Sequence, residues 1–469
     1  MNTRSFGLAA TLAALVVLAA GASSAAGFVW SPVGPVAGSS GRTPILMTLD
    51  KGGAAAFYAS GPMALFPGTP QVPVSTMSRS AGSGLFTGLL PLGALGEPLA
   101  TSPAGTTIAI AGPHAPTDYF GGTGGPPVPL SVAIGPAGSP GQPISTANTK
   151  ASVALAAAVN DRGDAAVLFA RCRSAACSSA SVWAIFRRRG RPFSGPVLLA
   201  AKTRTVDAPW IFRGAVAVNQ TGDALLAWEQ TERGTRERTV VARVQRSDGS
   251  LTRTRTITTT FLAPTIAVTL GGSRKGVVAV FSQAAGIDGA GPAQVTSALV
   301  SPAGNVSGRR VLDDFSPSSD AVQGVTGPRL RAVLGPDGVT TLVWTANATT
   351  SLVRSVRIPG SAAPATLSPE GVTSELAGLA VDPAGNAAIV WNSGDVRPSA
   401  SSASGISVAV RDGAAAAFGP PELVLASSGD RRCSTAAVAI DGPHILLAAC
   451  AEGPPALPGS TIQIAERTR

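Results

Sequence analysis

The chain has 469 residues, 45% apolar, 5% aromatic and 13% charged, with 55 Gly, 38 Pro and a formal net charge of +10. A charged share about half the usual ~25% excludes disorder driven by charge, and two His with four Cys exclude most multi-site metal chemistry. At ~100 to 200 residues per domain, the length allows two to four domains or one large repeat array.

The first element is an export signal. Arg4 precedes an apolar stretch from Leu8 to Ala20, and small residues follow through Ser24, Ala25 and Ala26. Residues 1–26 are therefore expected to be removed, leaving 27–469 to fold outside the cell. The alternative is an uncleaved anchor, for which 13 apolar residues are short. No later apolar run approaches the ~20 residues that cross a bilayer, so a secreted chain without a membrane span is expected.

From residue 45 onward one pattern recurs. Its copies are ILMTLDKGGAAAFYA at Gly53, LATSPAGTTIAIAG at Gly105, ALAAAVNDRGDAAVLFA at Gly163, GAVAVNQTGDALLAWEQ at Gly222, IAVTLGGSRKGVVAVFS at Gly276, RAVLGPDGVTTLVWTAN at Gly338, AGLAVDPAGNAAIVWNS at Gly385 and AVAIDGPHILLA at Gly442. Each joins two apolar alternating runs through a short polar turn, the signature of a β-hairpin. In the four clearest copies an aromatic stands six residues after the Gly, as Phe169, Trp228, Trp344 and Trp391, which suggests packing between repeats. The Gly spacing averages about 56, so eight copies fill the chain.

After most hairpins a second two-strand signal follows, as in 181–201, 238–258 and 406–426. Four strands per unit, repeated, predict an all-β fold: a single β-propeller of eight four-stranded blades, with seven blades or an open β-solenoid as alternatives. The last unit supplies a hairpin (433–450) and a third strand near 460–467, then the sequence stops. FVWSPVGPVAGSSG (28–41) matches the fourth-strand segment AFGPPELVLASSGD (417–430), so the N-terminal segment is expected to complete the last blade. The run AVDPAGNAAIVW followed by VAVRDG and FGPPELV resembles the secreted β-propeller repeat proteins of actinobacteria, over essentially the whole chain after residue 26. That resemblance implies the fold; propellers host binding, scaffolding and catalysis alike, so it assigns no activity.

The chemistry-bearing residues mostly read as structural. Arg162, Gly163 and Asp164 spell RGD, but at a repeat turn where Gly and Asp serve the backbone. Asp50, Asp161, Asp337, Asp382 and Asp441 also sit at or beside turns. His114 and His444 lie in no nucleophile or HExxH constellation. Asp313 and Asp314 are adjacent acids, and glycoside hydrolysis needs a second carboxyl across the substrate. No catalytic residue, metal site or cofactor is assigned.

Loop length separates two faces. First-to-second and third-to-fourth turns are tight, whereas the other connections, including 78–97, 113–127, 171–180, 283–293, 315–328 and 393–405, read as long and varied. Ligand residues concentrate in loops on a rigid scaffold. The candidates on this face are Asp118, Tyr119 and Phe120, then Asp207, Trp210, Glu229, Glu232, Arg233, Asp320 and Arg397, and finally Asp430, Arg431 and Arg432. Charge is uneven too: residues 187–255 hold 14 Lys and Arg against 6 Asp and Glu, led by Arg187, Arg188, Arg189 and Arg191. A basic sector on the outer strands would attract an anionic polymer without specific nucleic-acid recognition, or protect the rim. Cys433 and Cys450 are symmetric about an apparent turn centre between Asp441 and Gly442, which predicts a cross-strand disulfide. Cys172 and Cys177 would close a small loop or stay as two thiols.

The function expected is a secreted, monomeric propeller that binds an anionic or carbohydrate polymer from cell wall or environment. The alternative is an extracellular carbohydrate-active enzyme, a glycoside hydrolase or polysaccharide lyase. Three or more carboxyl, Arg or Tyr groups converging at the channel mouth would favour the enzyme.

Overall fold

The computed structural model describes residues 29–468 except for 37–42, 50–53, 61–74, 82–85, 92–96, 103–104, 112–129, 137–143, 146–151, 173–178, 205–212, 232–236, 261–263, 273–274, 284–291, 316–329, 348–350, 361–362, 371, 394–403, 414, 416, 428–435 and 451–461. Every regular element among the described residues is a strand, and the strands form eight four-stranded antiparallel sheets. Blades 1 to 7 follow in chain order over 43–91, 97–145, 152–204, 214–260, 265–315, 330–366 and 374–427. Blade 8 joins three strands of 436–468 to Val29–Pro35, which pairs with Ile462–Thr468 as the outermost strand. The innermost strand of each blade touches that of the next, including Ala436–Asp441 of blade 8 against Thr43–Leu49 of blade 1. The ring is thus an eight-bladed β-propeller closed by the N-terminal strand, which excludes the seven-bladed and solenoid alternatives.

Strands this rich in Ala are poor by intrinsic propensity, and they form because both of their faces are buried. In the second strand of blade 4, Ala224–Thr231, Leu226 and Trp228 pack toward blade 3, with Ala166, Leu168 and Val182. Leu225 and Ala227 pack toward blade 5, with Val278 and Val280. Alternation along the strand therefore selects a neighbouring blade, not core against solvent. Trp228, Trp344, Trp391 and Phe169 are fully buried in these seams, as expected from their repeat position.

The middle strand pairs run without register shifts, while shifts mark the inner pair in blades 1, 2, 3 and 7 and the outer pair in blades 1, 3, 4, 5, 7 and 8. Such irregular outer strands blunt the rim against edge pairing.

Three local expectations change. Gly276 is no turn residue; it opens the strand Gly276–Gln283, where a Cβ would sit 2.8 Å from Leu225 Cδ2 and 2.8 Å from the Thr269 carbonyl. The segment 78–97, read as a loop, contains the strand Thr87–Pro91, hidden because Gly and Pro break its alternation. The last hairpin pairs Asp441 with His444, so its turn centres on Gly442 and Pro443, one residue beyond the expected point, and Ala436 faces Ala449. Cys177 and Cys433 lie outside the described residues, and both disulfides remain expectations.

Candidate functional site

The face carrying the first-to-second turns is knitted by one repeated device. In blade 3 the Asn160 side-chain oxygen accepts the backbone N–H of Arg162 and of Asp164, at 3.0 and 2.9 Å. Its amide donates to Asp164 Oδ2 at 3.0 Å and to the Asn219 carbonyl of blade 4 at 2.7 Å. Asn219 repeats this, holding Thr221 and Asp223 and donating to the Gly271 carbonyl of blade 5 at 3.1 Å. In blade 7 Asp382 accepts from Asn386 and from the Gly442 N–H of blade 8. The last residue of each turn reaches sideways: Asp164 accepts the Arg189 N–H, Asp223 the Ser247 N–H and Asn386 the Gly413 N–H. Gly163 and Gly222, at φ +85° and +84°, supply the left-handed step that closes the loop.

Burial alone would raise the Asp164 carboxyl, but the Asn160 amide, the Arg189 N–H and the nearby Arg162 and Arg188 bring it below the usual carboxylate range. Asp223 is lowered likewise, the donors Asn219, Thr221 and Ser247 outweighing burial. With Asp164 2% exposed, the RGD tripeptide is a structural turn.

The opposite face carries the second-to-third connections and the crossings between blades. There the described residues bring charge together at blade 4. Glu229 lies near the end of Ala224–Thr231 and Arg238 opens Arg238–Gln245, so the hairpin sets them on one side of the sheet. Arg238 Nη1 meets Glu229 Oε1 at 2.6 Å, and the Glu229 N–H donates to the carbonyl of Arg213, just before the innermost strand. Glu229 and Arg238 are 4% and 6% exposed. Burial pushes the Glu229 carboxyl up to about 7, against the opposing attraction of Arg238 and Arg213. Its Oε2 has no hydrogen-bond partner among the described residues. A carboxyl poised near neutrality beside two guanidinium groups can exchange a proton and hold an anion.

A second cluster spans blades 5 and 6 near the same face. Asp313 accepts from the Trp344 indole at 2.8 Å and from Arg354 at 2.7 Å, both oxygens being engaged. Asp314, its neighbour in sequence, is exposed. The adjacent acids therefore point to different environments and form no catalytic pair. Glu375, 8% exposed, and Arg331, exposed, lie at the start of the innermost strands of blades 7 and 6.

Of the sequence candidates, Glu229 is placed in the blade 4 cluster with Arg213 and Arg238. Asp118, Tyr119, Phe120, Asp207, Trp210, Glu232, Arg233, Asp320, Arg397, Asp430, Arg431 and Arg432 lie outside the described residues. Arg213, Arg331 and Glu375 were missed, because residues in or beside the inner strands were read as packing; Arg238 counts by sequence in the basic outer sector, whereas its side chain is buried against Glu229 on the long-connection face. Arg187 ends the third strand of blade 3, and Arg188, Arg189 and Arg191 occupy its third-to-fourth turn, on the tight-turn face.

No family model matches the chain, and no curated protein does. Among solved structures, the PL25 ulvan lyase bound to -[GlcA(1-4)Rha3S]- aligns at TM-score 0.47 and 12% identity, covering 92% of this chain and 95% of its own. A puromycin hydrolase aligns at 0.41 and 14%, covering 76% and 50%, and the Penicillium chrysogenum alpha-L-arabinanase at 0.37 and 12%, covering 82% and 97%. At these identities and TM-scores no property of those proteins transfers to this chain.

Proposed function

We propose that the protein is an extracellular carbohydrate-active enzyme that acts on an acidic polymer at the face bearing the long connections. The observation that carries this reading is the Arg213, Glu229 and Arg238 cluster, three charged groups gathered where the inner strands of blade 4 reach that face. In this role protonated Glu229 is the general acid: Oε2–H gives its proton to the glycosidic oxygen as the carbon–oxygen bond breaks, a solvent water bonds to the freed carbon and gives up its own proton to the solvent, and the guanidinium groups hold the acidic sugar. The 4% exposure of Glu229 supports a second reading, in which the pair is a strut and the protein only binds the polymer.

The test incubates the protein with acidic and neutral polysaccharides and measures new reducing ends and unsaturated uronate absorbance. At least one polymer should be cleaved, and Glu229→Gln should lower the rate by about 10²-fold or more while the melting temperature stays close to wild type. Polymer retention without new chain ends, or a Gln variant as active as wild type, would establish the binding-only reading.

A further inference from the structure

The arginines of the ring fall into two groups by what they bind. Arg79, Arg238, Arg354 and Arg467 meet carboxylates, on Glu466, Glu229, Asp313 and Glu422 at 2.6 to 2.9 Å. On the tight-turn side of blades 3 to 5 most acceptors are neutral carbonyls: Arg187 binds Gly163 at 2.8 Å, Arg188 binds Gly222 at 2.7 Å, Arg243 binds Thr252 at 2.8 Å and Arg246 binds Pro302 at 3.3 Å, while Arg162 lies 3.8 Å from Asp164. A carbonyl fixes a guanidinium without cancelling its charge, so these side chains are held rigid and remain cationic.

Beside them stand Arg189 and Arg191 in the turn of blade 3 and Arg253 and Arg255 at the outer strand of blade 4, all exposed. Arg309 of blade 5 reaches across the seam to the carbonyl of Thr256, next to Arg255, which continues the row of cations over a third blade. The nearby carboxylates compensate only in part. Asp161, Asp164, Asp223 and Asp248 keep their charges in the turns, with Arg162 3.8 Å from Asp164, and they are outnumbered by Arg162 and the arginines of this row.

We propose that this row is a second binding surface, for an acidic polysaccharide, on the side of the ring away from Glu229. Guanidinium groups in excess of their neighbouring carboxylates recognise sulfate and carboxylate by paired hydrogen bonds. The aromatic side chain within the row, Phe193, packs into the seam of blades 2 and 3 and offers no stacking platform, which favours a sugar polymer over single-stranded nucleic acid. This inference does not depend on the Glu229 reading: a carrier surface would serve a binder and an enzyme equally.

The probe is immobilised heparin, with elution followed against NaCl. The variant replaces Arg189, Arg191, Arg253 and Arg255 by Ser, exposed positions whose loss should leave the melting temperature unchanged. Wild type should be retained at 0.15 M salt, and the variant should elute earlier, its salt slope reduced by about 3 if each of the four cations releases ~0.7–0.9 counterion. Co-elution of variant and wild type would overturn the proposal. Soluble polygalacturonate and double-stranded DNA serve as competitors at equal charge: displacement by polygalacturonate supports it, and tighter binding of the DNA overturns it in favour of a nucleic-acid surface. Glu229→Gln, run in parallel, should elute with wild type.

Discussion

Three tryptophans stand at one repeat position, yet their indole nitrogens meet different fates. Trp344 Nε1 donates to Asp313, whereas Trp228 Nε1 and Trp391 Nε1 are buried without a partner among the described residues. An orphaned buried donor carries a desolvation cost of about 1–3 kcal/mol, and removing the donor from a made bond leaves the acceptor with that cost instead. Trp344→Phe should therefore destabilise the protein by about 2 kcal/mol more than Trp228→Phe, although both lose similar ring volume. Denaturant melts of the two variants check this, and equal losses would mean that packing volume alone sets both. The repeat pattern made the burial of these rings legible, since a fixed offset from a turn glycine fixes the seam they enter. It could not show the hydrogen bond, because Asp313 belongs to the preceding blade.

At the scale of the element, the hairpin turn decides how blades are tied together. In blades 3, 4 and 7 the Asn or Asp that opens the turn works in two directions, holding its own loop and a carbonyl or N–H of the next blade. Asn219→Ala removes five side-chain bonds to Thr221, Asp223 and Gly271 at once, and at ~0.5–1 kcal/mol per bond should cost about 3–5 kcal/mol. Asn160→Ala should behave alike, and thermal melts read both. These turns were recognisable because polar residue, Gly and Asp or Asn recur at set intervals. Blade 5 departs from the pattern: Gly276 is there for clearance between its blade and Leu225, a requirement that only the assembled seam creates. The Glu229 cluster shows the same limit from another side. Glu229 was visible at the edge of a connection, but its burial against Arg238 depends on strand pairing, and the raised carboxyl follows from that burial.

For the whole molecule, the seams on either side of blade 8 are fastened by charge. Glu422 of blade 7 accepts from the Trp30 indole at 2.7 Å and from Arg467 at 2.9 Å. Glu466 receives both Arg79 Nη1 and Nη2 from blade 1, at 2.9 and 2.8 Å. The hydrogen bonds from Arg79 outweigh burial and hold Glu466 below the ordinary glutamate value of 4.5. Its contribution is therefore complete above that value and disappears as pH falls through the lower folded value. Arg79→Met should flatten the acid side of the stability profile between about pH 5 and 3 while lowering stability at pH 7. A profile parallel to wild type would show that the acid transition belongs to other carboxylates, with Asp164 and Asp223 first among them, since both are lowered in the same sense.

The pairing of Val29 with Thr468 has a temporal side as well. The strand Val29–Pro35 must wait for Ile462–Thr468, far later in the chain, before blade 8 is complete. Contacts of such large sequence separation form slowly, because their loop-closure entropy is lost before any pairing rewards it. Until then blade 8 presents the open outer edge of Ile462–Thr468, and blade 1 the uncovered inner strand Thr43–Leu49. The same juxtaposition makes the start of the chain arbitrary: with positions 29 and 468 side by side, a short link could join them and a new opening be cut at any tight turn.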